Sequence, residues 1–301
     1  MACPTSIALN LSRPAKGESA APPLTTTFYH TITEVDRAIW LSLMPEGSTL
    51  FHPDYLEALE QYAQGKARFV YAVFHAAENA VGIAVYQLLV FEGSNVDTPE
   101  ADGEKGGFWN NLQQWFKRQL TAWINRRQFG LVINGNMLTT GEFGFTFNSE
   151  AGLSLPQQIQ QVQATAEEIA KANGIKAILI KDIFDTKLQQ QSLSLTGNYF
   201  RFRVQPNMII DLANEWTTFD DYLGAMKSKY RVRMRKALKR LKGIEQRELT
   251  NSELVQQMPR IKDLFGQVIE KSDFTLLKCN LDYFVALQEK QPQKFKVIGF
   301  Y

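Results

Sequence analysis

Hydrophobic positions along the chain switch between two periods, and each switch marks an element. From Thr27 the stretch TFYHTI alternates as a half-buried strand does. Two helical patterns follow, Thr33 to Ser42 and His52 to Tyr62; in the second, Pro53 suits a first turn and Tyr55, Leu56, Leu59 and Tyr62 share a face. Two apolar runs, Ala67 to His75 and Ala80 to Phe91, flank AAEN and predict an antiparallel hairpin. From Phe108 to Gln128, Phe108, Leu112, Trp115, Phe116, Leu120, Trp123 and Ile124 recur at helical spacing.

A strand from Phe129 to Leu138 leads through TTGEFGFTFN to a helix opening at Ser154, where Ser154 and Gln157 suit a capping box and Pro156 a first turn. That helix stops at Asn173 and Gly174, and IKAILIKDIF follows as a buried strand. Strand, helix and strand of these lengths form a crossover unit with both strands in one sheet. Further strands fall between Tyr199 and Ala213. A long helix runs from Thr218 to Lys242, capped by Thr217 and Thr218, with Asp220 and Asp221 at its positive end and Gly243 past its last turn. A strand at Ile244 to Leu249, helices at Asn251 to Lys271 and Leu281 to Glu289, and a strand at Phe295 to Tyr301 complete the pattern.

The resulting fold class is α+β, a mixed sheet with at least one βαβ unit. Residues 1–26, rich in Pro, Ala, Ser and Thr, predict a disordered tail. Residues 27–205 form a first domain, with the acidic, aperiodic segment 92–107 as a mobile surface loop. Residues 206–301 form a second domain whose single helix pair and short strands cannot bury both faces of a sheet, so it is expected to be the front part of a longer unit.

Composition narrows the function classes. With 33 Lys+Arg against 31 Asp+Glu the net charge is only +2, so attraction to nucleic acid or anionic membrane must come from a local patch. Two cysteines exclude a cysteine-rich zinc site and a disulfide framework. No secretory pattern opens the chain and no apolar stretch is long enough to span a bilayer, which points to the cytoplasm. His30, His52 and His75 lie in separate elements without metal-ligand spacing, so no metal is expected.

Three constellations are candidates for chemistry. The first is the basic run Lys227, Lys229, Arg231, Arg233, Arg235, Lys236, Lys239, Arg240 and Lys242, uninterrupted by any acid. Such charges repel on one helix, and cofactor phosphates, an RNA acceptor stem or an anionic lipid would relieve the repulsion; a solvated face that complements the helix dipole is the plain structural alternative. The second is INGNMLTTGEFGF, where Gly141 and Gly144 would admit a pyrophosphate to the backbone and Glu142 could act as a general base; a structural turn is the alternative. The third is the Trp-rich helix with Lys117, Arg118, Arg126 and Arg127, suited to a membrane interface or to a core.

Taken together, FHPDYLEALE, an apolar hairpin, then strand, helix and strand, and finally FDDYLGAMKSKYRVRMRKALKR resemble the Fem-like, tandem-domain branch of the GNAT acyltransferase superfamily, over roughly Thr27 to Tyr301. The most specific element is KSKYRVRMRKALKR; TTGEFGF is a loose analogue of the family's coenzyme-A loop, Q/R-x-x-G-x-G/A. The resemblance implies N-acyl transfer to an amine, on a small molecule or a cell-wall precursor, from acetyl-CoA or another acyl-CoA, or from aminoacyl-tRNA. Gly141, Gly144, Lys229, Arg231, Arg233 and Arg235 become the expected donor-binding residues and Glu142 the expected base, with the basic helix facing a cleft between two modules. The alternative is a non-catalytic protein on the same fold that binds an anionic lipid, a cell-wall precursor or nucleic acid, with peripheral contact to a membrane.

Overall fold

The computed structural model describes residues 2–3, 5–10, 24–63, 67–91, 129–139, 141, 144–184, 199–203, 207–208, 210–271 and 280–301. The expected loop at 92–107, the Trp-rich helix and Glu142 lie outside them. Strands β1 (Ala2–Cys3) and β2 (Thr5–Asn10) occupy the segment expected to be a tail. This is a correction: averaged composition hid a short strand whose backbone pairs are supplied by partners far along the chain.

Strand β3 (Thr25–Tyr29) precedes α1 (Arg37–Leu43) and α2 (Pro53–Tyr62). Asp36 caps α1 by accepting from the amides of Ala38 and Ile39, and His52 caps α2 by accepting from Asp54. The hairpin is β4 (Ala67–Ala76) and β5 (Asn79–Phe91). Next come β6 (Phe129–Asn134), β7 (Phe145–Phe147), α3 (Leu155–Ala172) and β8 (Ala177–Phe184). The Gln157 side chain accepts from the Ser154 amide at 2.9 Å, and Gly174 beyond the last turn has φ +65°, as the capping and stop signals require. β9 (Tyr199–Arg203) and β10 (Asn207–Met208) follow.

The main sheet runs β3-β4-β5-β6-β8-β2-β9, with β7 also paired to β5. Its pairs are antiparallel except β6 with β8, which are parallel and joined through α3, so the crossover unit stands. The sheet is buried on both faces, which is why its central strands read as continuous apolar runs. Along β4, Val70, Ala72 and Phe74 pack toward Ile159, Val162, Ala166 and Ile169 of α3. The alternate residues Phe69, Tyr71 and Val73 pack toward Trp40, Phe51, Tyr55 and Leu56 on the α1/α2 side. The Trp40 indole donates to the Phe51 carbonyl at 2.8 Å, so the largest buried ring leaves no polar atom unpaired.

The helix expected over Thr218 to Lys242 is two, α4 (Phe219–Ala225) and α5 (Ser228–Arg240). Met226 is extended, with ψ 145°, and Arg231 Nη1 reaches back to donate to the Gly224 carbonyl at 3.1 Å, satisfying an end group of α4. β11 (Gln246–Glu248), α6 (Asn251–Glu270), α7 (Tyr283–Lys290) and β12 (Ile298–Phe300) complete the described chain, with β11 and β12 forming an antiparallel ribbon. Leu254, Met258 and Leu281 form a small cluster of their own. Ala286 and Leu287 of α7 instead enter the α1/α2 cluster, and Lys290 pairs with Glu57 at 2.8 Å, so the later part of the chain shares a core with the earlier part.

Candidate functional site

The arrangement of most chemical interest lies where β6 and β8 part. Their register runs Leu131–Asn134 against Ala177–Ile180. Beyond it β6 turns away through Gly135, whose φ of +108° excludes most other residues, while β8 continues to Phe184. β8 then bulges: Ser6 faces Ile183 and Ala8 faces Ile180, so Lys181 and Asp182 together stand opposite Ile7. Asp182 takes φ +62°, a left-handed conformation that Asp tolerates better than most residues. The inserted residue also shifts the side-chain phase, which is how Ile178, Ile180 and Ile183 all join the α3-side core.

Lys181 is nearly buried, and its ammonium donates to the carbonyls of Asn136 at 2.9 Å and Thr139 at 2.7 Å while pairing with the buried Asp182 carboxylate. All three ammonium protons are thereby engaged. The same loop is tied from the other side. Asn136 Nδ2 donates to the Tyr55 hydroxyl at 2.9 Å, its Oδ1 accepts from Leu138, and Gln87 Oε1 accepts from the Met137 amide at 2.9 Å.

β5 changes partner at this level. Residues from Tyr86 onward pair with β6, whereas Gly82 to Ala84 pair with β7. Val85, between them, donates its amide to the Gly144 carbonyl and accepts from Gly135. Asn134 stitches the changeover, its Nδ2 donating to the Val85 and Gly144 carbonyls at 3.1 and 2.9 Å. A Cβ on Gly144 would meet Asn134 Oδ1 at 2.5 Å, so this glycine is required by an internal side chain. Among the described residues, Asn134 Oδ1 and Thr139 Oγ1 are buried polar atoms without a hydrogen-bond partner.

The expected site residues fall into two sets. Gly141, with φ +133°, and Gly144 lie between β6 and β7 beside this arrangement. Lys229, Arg231, Arg233 and Arg235 lie on α5, which packs against α4 and has no buried residue. Lys229, Arg233 and Arg235 are exposed and Arg231 is half-buried, its guanidinium donating to the Gly224 carbonyl, and no hydrogen bond or ion pair among the described residues joins the two sets. The N-terminus of α3 is a poor phosphate site, because Ser154 and Gln157 form a capping box there and Pro156 carries no amide hydrogen. The three histidines form no metal cluster; among the described residues, no group of His, Cys, Asp and Glu could hold a metal ion.

Lys181 and Asp182 were not among the expected residues. Their signal in the sequence is AILIKDIF, in which a charged pair interrupts an apolar strand and the isoleucine spacing slips from two to three. Comparison of the chain with protein-family models, curated proteins and solved structures finds no match. No helix among the described residues is long and apolar enough to cross a membrane.

Proposed function

We propose that the chain is an N-acyltransferase of the GNAT/Fem-like type. The observation that carries this reading is the order of elements around the split: two helices, an antiparallel hairpin, β6, the crossover helix α3, and β8 parallel to β6 and parting from it at Asn134 and Ile180. An acyl-CoA donor would supply an activated thioester carbonyl there, to which the acceptor amine forms its C–N bond as the C–S bond breaks. This chain offers the amide-bearing arm of such a donor the backbone beside Gly141, where β6 and β8 part. The capped α3 terminus does not fit the donor phosphates, which leaves them to cations elsewhere in the chain. Lys181 acts as a positioning group that fixes the carbonyls of residues 136 and 139, and the acceptor ammonium gives up its proton to a base for which Glu142 is the candidate.

Calorimetric titration of the protein with acetyl-CoA, and separately with aminoacyl-tRNA, tests the reading. Saturable binding of either supports it. Absence of binding to both overturns it.

A second reading rests on a different observation, the exposure of most of α5, in which only Arg231 and Met234 are half-buried and no residue is buried. A helix with seven cations between Ser228 and Arg240 and no acid is suited to recognising an anion at the protein surface, with or without catalysis elsewhere. Charge reversal at Arg231, Arg233 and Arg235 would abolish such binding, and unchanged binding of every anionic probe would remove this reading.

A further inference from the structure

The chemistry of α5 goes further than its charge. At about 100° per residue, Tyr230, Met234, Ala237, Leu238 and Leu241 fall within an arc of roughly a third of a turn, and the remaining circumference carries the cations, with Val232 alone among them. In a helix that packs on its own protein the apolar stripe is covered. Here most of it is not: Tyr230 is 53% exposed, Leu238 39% and Leu241 49%, while Met234 between them is half-buried. None of the ion pairs among the described residues engages an α5 cation. Just past its end Ile244 is exposed, and on the helix before it Phe219 is exposed beside Tyr222, their ring centroids 5.8 Å apart.

A helix with an uncovered apolar stripe bounded on both sides by Lys and Arg has two needs, an apolar phase for the stripe and anions at the edge of that phase. Nucleic acid answers only the second, since phosphate contacts make no use of exposed Leu and Met. Free phosphate or a nucleotide also answers only the second. The surface of a bilayer containing anionic lipid answers both, with the stripe lying at the acyl boundary and the cations among the headgroups.

We infer that α5 is an interfacial anchor that docks the protein on an anionic lipid surface. The inference deepens the second reading above by naming the source of the anion, and it does not depend on acyl transfer. Arg231 and Lys242 on one side of the stripe, and Arg233 and Arg240 on the other, are the residues placed to meet headgroups. Arg231 also donates to the Gly224 carbonyl, which fixes the angle between α4 and α5.

The test is flotation of the whole protein with vesicles of phosphatidylcholine alone and of phosphatidylcholine with phosphatidylglycerol. The protein is expected to float with the anionic vesicles and to stay down with the neutral ones. Neutralising Arg233 and Arg240 to Gln should lower partitioning about five-fold per cation. Leu241→Ser should lower it about ten-fold without changing net charge. Because α5 contributes no buried residue, the variants should keep the circular dichroism and thermal midpoint of the parent. Parallel titrations with tRNA and with inorganic phosphate separate the outcomes. Binding to tRNA that Leu241→Ser leaves untouched, with no flotation, overturns the lipid assignment but keeps the second reading. Silence from vesicles, tRNA and phosphate alike overturns both. A vesicle-independent dimer that Leu241→Ser dissolves also overturns the inference, since the stripe would then be covered by a second copy.

Discussion

Single residues around the parting of β6 and β8 set conditions that measurement can check. Gly144 has no room for a methyl group, since Asn134 Oδ1 would lie 2.5 Å from it and is backed by a side chain held at two carbonyls. Gly144→Ala is expected to cost about 1–3 kcal/mol, read as a lower urea midpoint at unchanged slope. Lys181→Met removes the partner of a carboxylate that is itself buried, and should cost about 3–5 kcal/mol, whereas adding Asp182→Asn to it should restore part of that loss. A double mutant no better than the single would show that the lysine's carbonyl contacts, not its ion pair, carry the stability. Glu60 supplies a pH prediction. Burial pushes its carboxyl above the ordinary value, opposed by the Tyr71 hydroxyl beside it and by the Ile32 amide, which donates to it at 2.8 Å. The folded protein therefore holds this proton to a higher pH than the unfolded chain does, so the group's stabilising contribution is complete below its unfolded pKa and is lost as pH rises through its folded one. Glu60 thus contributes a fall in the denaturation midpoint with rising pH across the weakly acidic range, opposite in sign to the contribution of His52, whose pKa burial lowers. Glu60→Gln should remove that contribution, read as the difference between the variant's and the parent's pH profiles.

At the scale of elements, what could be read from the chain depended on whether the cause was local. The first turn of α2 at Pro53, the capping box of α3 and the stop at Gly174 are set by residues within a turn of the helix end, and each stands where the sequence pattern placed it. β2 is different. Its pairing with β8 and β9 joins residues separated by most of the first part of the chain, so nothing within Met1 to Thr26 announces it. The break between α4 and α5 escaped for another reason: Tyr222, Leu223, Met226 and Tyr230 continue one apolar stripe across it, and no Pro marks the joint. The bulge at Lys181 and Asp182 was written in the isoleucine phase of β8, but a strand buried on both faces masks a slip that alternation would have shown. The break also yields a prediction. Gly224 lies in α4 with open space where a Cβ would go, so Gly224→Ala should stabilise by about 0.5–1 kcal/mol in chemical denaturation. Arg235→Gln on the exposed α5 should change stability by no more than about 0.5 kcal/mol.

At the scale of the molecule, the division into residues 27–205 and 206–301 meets one physical obstacle, the placement of α7. Its Ala286 and Leu287 are buried in the cluster of Trp40, Phe51, Tyr55 and Leu56, its Lys290 pairs with Glu57, and Gln288 Nε2 donates at 2.7 Å to the Leu249 carbonyl near the ribbon. α7 is thus a shared element that couples the small cluster of Leu254, Met258 and Leu281 to the main core. The small cluster buries too little apolar surface to order its own backbone, so its stability should be borrowed through that helix. Leu287→Ala removes a fully packed side chain from the joint and should cost about 2–5 kcal/mol. If the coupling is as described, the loss will not be shared evenly. Scanning calorimetry of the variant should show an early transition for the segment around α6 and the ribbon, followed by that of the sheet, where the parent melts in one step. Hydrogen exchange should agree, with amides of α6 losing protection before those of β4 and β5. A variant that keeps one transition at a lowered temperature would mean that contacts other than α7 bind the two parts together.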